Sequence, residues 1–252
     1  MATGSELPAI IAHRGNAGEW PENTLQSLQS AVDLGVQHIE FDVQLTQDKV
    51  PVLLHDADFR RVGGRPECVH DLSWSAFSAI RVGEVERLGT QHALTFAPSL
   101  AQTVQALDTW TQVTAFVEIK RSSLRRFGRE MVLQRIADTL EPVSDRCVLI
   151  SFDLTSVQIF RTMTGTRIGW VLENYDAVSR AAAERLAPEF LFCNLERVPK
   201  DTIALWAGPW DWALYEVGDV RTARACAEMG ARFVESMTVR GLLAGYGTSS
   251  GP

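Results

Sequence analysis

The chain has 252 residues, 46% of them hydrophobic, and a formal net charge of −7 from 31 acidic and 24 basic residues. That length suits one large domain or two small ones, and the apolar content is enough to bury a substantial core. No basic block interrupts the acidic excess, which argues against a nucleic-acid partner.

The four cysteines, Cys68, Cys147, Cys193 and Cys226, are scattered without a C-x-x-C pair, so neither a zinc ribbon nor a disulfide framework is expected. Cys147 and Cys193 lie in apolar runs and read as reduced core residues. Met1 to Pro8 lacks a basic segment leading into an apolar stretch, and no run approaches the roughly 20 apolar residues that span a bilayer. The expectation is a soluble, cytoplasmic protein without stable membrane insertion, either monomer or homodimer.

In chain order, strand-like runs fall at Ala9 to Ala12, Gln37 to Val43, Ala115 to Ile119, Arg146 to Ser151, Arg167 to Leu172, Phe190 to Asn194, Asp211 to Glu216 and Arg232 to Glu235. Amphipathic stretches separate them, at Thr24 to Leu34, Leu100 to Thr109, Phe127 to Leu140, Leu154 to Met163, Ala177 to Leu186 and Val220 to Met229. Gly35 and Gly230 stand where helices should stop. Alternation of this kind calls for parallel strands joined by crossover helices, and eight such units closed on themselves give a (β/α)₈ TIM barrel. A doubly wound open sheet is the alternative that periodicity leaves open. The whole chain, 1–252, is read as one barrel domain.

From Asp58 to Ala97 the rhythm fails, in a segment carrying Gly63, Gly64, Pro66 and Trp74. Excursions of that length are usually lids or recognition insertions, although a surface detour without a role gives the same pattern. The tail, 246–252, is Gly/Ser-rich and expected to be disordered.

Polar residues interrupt the apolar strands at consistent places. Ile10-Ile11-Ala12 runs into His13-Arg14-Gly15, and Val52-Leu53-Leu54 into His55-Asp56. In Ile39-Glu40-Phe41-Asp42-Val43 the period of two puts both carboxylates on one face, and Glu118 and Lys120 share a face in the same way. Like-charged neighbours repel unless they share a proton or a cation. Each pair alone is what a solvated strand face or a rim salt bridge would give. Together, at successive carboxyl ends of strands, they fall where a barrel keeps its catalytic groups. An all-oxygen set of Glu40, Asp42 and Glu118 favours Mg²⁺ or Ca²⁺. Arg14 and Lys120 beside it suit an anion such as phosphate, and two histidines suit acid–base work on either side of a displacement.

These residues, in this order, resemble a known family. His13-Arg14-Gly15, Pro21-Glu22-Asn23-Thr24, Glu40-Phe41-Asp42-Val43 and His55-Asp56 look like the N-terminal signature of the glycerophosphodiester phosphodiesterases, bacterial type, related to phosphoinositide-specific phospholipases. Pro98-Ser99-Leu100, Glu118-Ile119-Lys120 and Ser151-Phe152 continue the similarity across roughly the first 150 residues. The resemblance implies a TIM barrel and metal-dependent cleavage of a small-molecule glycerophosphodiester to glycerol 3-phosphate and an alcohol. It implies Glu40, Asp42 and Glu118 as ligands of a divalent metal, Mg²⁺ or Ca²⁺. His13 and His55 would be the acid–base pair, and Arg14 and Lys120 would contact phosphate. Glu22 would be a further ligand or a hydrogen-bond anchor.

The family often shows an aromatic-Thr-Val-Asn stretch near the seventh strand and Thr-Asp near the eighth. This chain reads Tyr215-Glu216-Val217-Gly218 and Glu235-Ser236-Met237 instead. Tyr215 is a candidate aromatic wall. Glu216 and Glu235 would favour a cationic alcohol, or else make rim salt bridges. Trp20 would flank the site or pack on the first crossover helix. Three other readings stand beside this one. A facial triad of His13, His55 and a carboxylate would hold Fe²⁺ or Mn²⁺. A lysophospholipid-cleaving relative would expose Phe59, Trp74 and Phe77 on the insertion. A non-catalytic barrel would bind phosphodiesters without cleaving them.

Overall fold

The computed structural model describes residues 7–247. Its strands are β1 (Ala9–Ala12), β2 (His38–Leu45), β3 (Pro51–Leu53), β4 (Asp58–Phe59), β5 (Arg65–Cys68), β6 (Thr114–Ile119), β7 (Cys147–Ser151), β8 (Ile168–Leu172), β9 (Phe190–Asn194), β10 (Asp211–Tyr215) and β11 (Phe233–Ser236). Eight of them run parallel and close into a barrel. β1 pairs with both β2 and β11, and the ring continues through β10, β9, β8, β7 and β6 back to β2. Helices lie between successive staves, except that a 3₁₀ turn, Leu195–Arg197, and a loop join β9 to β10; this is the TIM barrel expected from the alternation, and the open-sheet alternative is set aside.

Each stave turns alternate residues inward. Ile11, Phe116, Val148, Ile150, Val171, Phe190, Phe192 and Ala213 fill the barrel's centre, with Phe233 and Tyr215 packed against them. Phe116 meets the rings of Phe190 and Phe192 nearly edge-on at 5.0 and 5.4 Å, the arrangement aromatic quadrupoles favour. Burying each such phenylalanine contributes about 1.5–3 kcal/mol. The other faces of the staves meet the helices, with Phe41, Val43, Val117 and Leu149 in one shell and Trp170, Leu191, Leu214 and Val234 in another. The interior is therefore greasy below, and its polar residues are crowded toward the carboxyl ends.

β3 is not a stave. β2 runs past the barrel mouth, and β3 returns antiparallel on that extension, pairing Leu45 with Pro51 and Val43 with Leu53. Leu54 N then donates to Asp42 O at 3.1 Å. His55 thus reaches the mouth by a hairpin return, not at the end of a parallel strand.

The segment 58–97 has its own small core. Phe59, Val62, Val69, Phe77, Ile80 and Val82 pack on Val52 and Leu54, with Trp74 against them. Phe59 and Phe77 are fully buried, their rings 5.2 Å apart. Those two residues are not the exposed apolar surface that a membrane-facing insertion would need. At the other end, helix Val239–Gly247 includes Tyr246, whose hydroxyl donates to Pro8 O at 3.0 Å. The expected tail at 246–252 therefore begins later than Tyr246, and residues 248–252 lie outside the described residues. No helix among the described residues is long and apolar enough to cross a membrane.

Candidate active site

Where β1 ends, the chain must turn sharply into the first crossover. Arg14 has φ 56° and Gly15 φ 83°, values that favour glycine. A Cβ on Gly15 would lie 2.5 Å from the Ser27 backbone. The turn aims Arg14 N at Glu40 Oε2, 3.0 Å away. His13 faces the barrel interior and is 8% exposed.

Pro21-Glu22-Asn23-Thr24 works as four separate contacts. Thr24 caps helix Leu25–Asp33 by accepting from Ser27 N. Asn23, at φ 55°, donates its amide to Asp42 Oδ2 at 2.8 Å and accepts from Asp42 N at 3.0 Å. Glu22 accepts from Arg14 Nη1 on both oxygens at 3.0 Å. It also accepts from Arg61 Nη1 and Nη2 at 2.6 and 2.8 Å. Both its oxygens are therefore engaged, and Glu22 is an anchor for two guanidiniums.

β2 and β6 supply the carboxylates. Glu40, Asp42 and Glu118 each offer an oxygen within 4.8 Å of the others. Lys120 Nζ lies 3.1 Å from Asp42 Oδ1 and 2.8 Å from Glu118 Oε1, and Arg14 Nε lies 3.1 Å from Asp42 Oδ2. Glu40 and Asp42 are each 1% exposed. Burial opposes ionisation of Asp42, but Lys120 and Arg14 hold it well below the usual carboxylate range. Among the described residues Glu40 has no cationic side chain within ion-pair distance apart from the His13 contact described below, and the charge on Arg14 only partly offsets its surroundings. Burial, then Asp42, Glu235 and Glu118, push it well above that range.

Glu40 Oε1 is buried without a hydrogen-bond partner among the described residues, and Asp42 Oδ1 has only the Lys120 ammonium beside it. Buried carboxylate oxygens left open, converging from adjacent strands, are what a hard cation requires. The donor set fits Mg²⁺ or Ca²⁺. His55 is in neither group of converging ligand atoms among the described residues, so a facial triad of His13, His55 and a carboxylate finds no support in the geometry.

His55 Nδ1 lies 2.8 Å from Asp56 Oδ1. That hydrogen bond, with Arg61 beside it, lowers the Asp56 carboxyl to about 2. An ionised carboxylate only accepts, so Nδ1 carries the proton and Nε2 is left for chemistry. Burial first, and Arg14 next, push His13 down to about 3. A neutral ring makes the 3.9 Å approach of its Nε2 to Glu40 Oε2 a contact and not a salt bridge.

His13, Arg14, His55, Glu118 and Lys120 line one cavity of about 270 Å³ with Phe152, Phe192, Tyr215, Glu216 and Glu235. Tyr215 thus forms part of an aromatic wall. Trp20 is not in this lining, and its ring lies 4.5 Å from that of His92. Glu235 is 4% exposed and has no ion pair among the described residues, so it is not a rim salt bridge.

Sequence reasoning gave no role to Asn23, Asp56 or Arg61. Asn23 and Asp56 stand inside quoted motifs, next to residues that were singled out. Arg61 lies in the insertion, and nothing in its immediate sequence separates it from Arg60, whose guanidinium turns outward to Asp58.

Known proteins resemble this chain in sequence and in fold. The chain is 29% identical over 165 residues to a glycerophosphodiester phosphodiesterase of Bacillus altitudinis, covering 62% of this chain and 63% of that protein. A lysophospholipase D of Rattus norvegicus is 42% identical over 68 residues, 27% of this chain and 22% of that one. The chain thus spans about three fifths of the length of the first of these relatives and less of the second. Among solved structures, a phosphodiesterase of Oleispira antarctica, in complex with its product sn-glycerol-3-phosphate, superposes with a TM-score of 0.81 at 20% identity. The match covers 94% of this chain and 96% of that one. A glycerophosphodiester phosphodiesterase of Parabacteroides distasonis gives 0.78 at 16% identity, over 98% and 100% of the two chains. At such identities these likenesses show the shared barrel. Residues 13–201, which hold nearly all of the site described above, match the Glycerophosphoryl diester phosphodiesterase family, and the chain belongs to that family.

Proposed function

We propose that the protein hydrolyses glycerophosphodiesters to glycerol 3-phosphate and an alcohol, with Glu40, Asp42 and Glu118 holding a divalent cation, Mg²⁺ or Ca²⁺. The observation that carries this reading is the convergence of three carboxylates, two cationic side chains and two histidines on one cavity mouth. When bound, the cation supplies charge neutralisation to the phosphate oxygens.

The chain's own residues supply the rest. Arg14 and Lys120 add fixed positive charge at the same place, held by Glu22, Asp42 and Glu118 so that little reorganisation is needed as charge develops. His13, neutral in its buried setting, takes the proton of the substrate's 2-hydroxyl as that oxygen bonds to phosphorus. His55 gives a proton from Nε2 to the departing alcohol oxygen as its bond to phosphorus breaks, while Asp56 holds Nδ1. Water then opens the cyclic phosphodiester with the two histidines in exchanged roles, and glycerol 3-phosphate leaves. Phe152, Phe192 and Tyr215 keep one side of the cavity apolar for the organic part of the substrate.

The test is release of glycerol 3-phosphate from glycerophosphocholine by the purified protein, with Mg²⁺, with Ca²⁺ and after chelation. Release that EDTA abolishes is expected. His13→Ala and His55→Ala should each sharply reduce turnover while leaving the affinity for Mg²⁺ nearly intact. No release with either metal, from this substrate or from glycerophosphoethanolamine, glycerophosphoglycerol and lysophospholipids, would leave the binding-only barrel as the better reading.

A further inference from the structure

We propose that His13, Glu40 and Glu235 form a second cation position, suited to a zinc-class transition metal, beside the all-oxygen set and sharing Glu40 with it. The three residues come from adjacent staves. β1 lies between β2 and β11, with Ile11 opposite His38 on one side and Glu235 on the other. The inward rows then continue two residues further, to His13 on β1 and Glu40 on β2. Each residue offers one ligand atom, and all three atoms lie within 4.8 Å of one another.

Two oxygens of this group are open. Glu235 Oε1 and Glu40 Oε1 are buried with no hydrogen-bond partner among the described residues. The residues are 4% and 1% exposed. The cationic side chains nearby are committed elsewhere, Arg14 to Glu22 and Asp42, and Lys120 to Asp42 and Glu118. Glu40 keeps one donor, Arg14 N on Oε2, but two buried carboxyl groups each with an open oxygen carry a desolvation penalty of several kcal/mol per ion unless something positive, or a shared proton, lies between them. A cation relieves both at once.

The donor types decide which cation. Glu40, Asp42 and Glu118 offer oxygen alone, which suits Mg²⁺ and Ca²⁺. Adding an imidazole nitrogen shifts preference toward Zn²⁺, which accepts nitrogen and carboxylate oxygen at similar distances. The consequence is inhibition, and it rests on the reaction proposed above. A ring nitrogen of His13 bonded to a metal has no lone pair with which to accept the substrate's proton. The binding itself does not depend on that reaction, so the two are read separately.

The experiment uses the full chain loaded with Mg²⁺ and titrated with ZnCl₂. Equilibrium dialysis with elemental analysis counts both metals, and X-ray absorption at the zinc edge reports the ligands. One zinc should bind with Mg²⁺ retained, in a shell of oxygen with one imidazole and no sulfur. Glu235→Gln should weaken zinc binding roughly tenfold or more while Mg²⁺ still binds. Turnover of the wild-type protein should fall as zinc occupies the position. Displacement of Mg²⁺ one for one, a sulfur ligand from the half-buried Cys68, or unchanged zinc affinity in Glu235→Gln would each overturn the proposal. If Glu235→Gln does not fold, the imidazole count in the wild-type protein decides: one supports the site, none refutes it.

Discussion

The Arg61 guanidinium grips Glu22 with both terminal nitrogens, at 2.6 and 2.8 Å, while its Nε holds Asp56 at 2.8 Å. One side chain of the insertion therefore joins the anchor of Arg14 to the partner of His55. Arg61 is a positioning residue, since it acts on both through carboxylates. Arg61→Ala should lower kcat roughly 10–100-fold, the range typical when an outer-shell partner is lost. Arg61→Lys should recover little, because an ammonium cannot make the forked contact. Steady-state kinetics with a folding check by circular dichroism decides this. A variant whose kcat matches the wild type would show that Asp56 and Glu22 hold the site without it.

Glu40 should behave as a residue that the metal-free fold tolerates poorly. Burial and three neighbouring carboxylates keep its carboxyl well above its ordinary range. A neutral amide of the same shape can still accept from Arg14 N, where Glu40 Oε2 now does. Metal-free Glu40→Gln should therefore melt no lower than metal-free wild type at neutral pH. Wild type should gain about 2.7 kcal/mol when Mg²⁺ stands at a hundred times its dissociation constant, and Glu40→Gln should gain little. Calorimetry with Mg²⁺ and with EDTA gives both numbers. An equal Mg²⁺-dependent shift in the two proteins would remove Glu40 from the ligand set.

The staves were legible because a barrel strand alternates against two different apolar surroundings, and each of the eight runs read from the sequence overlaps an observed stave. The carboxylate pair of β2 was legible for the same reason, by its alternation with Ile39, Phe41 and Val43. The stretch Phe127 to Leu140 is helix Arg129–Leu140, and the short helix Arg121–Phe127 before it, not read from the sequence, is cut off from it by Gly128 at φ 85°. β3 was readable as a strand but not as an antiparallel one, since direction depends on how far β2 overshoots the barrel. Glu235 shares its parity with the partly buried Phe233 side of β11. That its Oε1 has no partner among the described residues follows from where Arg14 and Lys120 turn, which no local pattern encodes. The same holds for Arg61, which meets Glu22 across 39 residues of chain.

Gly15 carries two constraints at once. Its φ of 83° disfavours any side chain, and a Cβ would meet the Ser27 backbone at 2.5 Å. The left-handed conformation costs a non-glycine residue about 1–2 kcal/mol and overpacking a further 1–3 kcal/mol. Gly15→Ala should thus destabilise the protein by about 2–5 kcal/mol in urea unfolding. It should also weaken Mg²⁺ binding, because the same turn aims Arg14 N at Glu40. A loss of stability with Mg²⁺ affinity unchanged would separate the turn from the site.

Asp153, next in the chain to the cavity-lining Phe152, links stability to acid pH through a helix cap. It caps helix Leu154–Thr164 by accepting from Ser156 N at 2.8 Å, and Arg129 donates to both its oxygens at 3.0 and 2.8 Å. The Arg129 hydrogen bonds, opposed by partial burial and helped by Ser156, lower its carboxyl to about 2. An unfolded aspartate titrates near 3.9. Because the folded value is the lower one, the unfolded chain binds the proton more readily. The stabilisation is complete above about pH 4 and is lost as pH falls toward 2. Asp153→Ala should cost about 1 kcal/mol at pH 7, the usual worth of an N-cap. The gap between variant and wild type should narrow as pH drops from 4 to 2. Urea unfolding at several pH values across that window measures it, and a gap that stays constant would show that the carboxylate's charge contributes nothing to the cap.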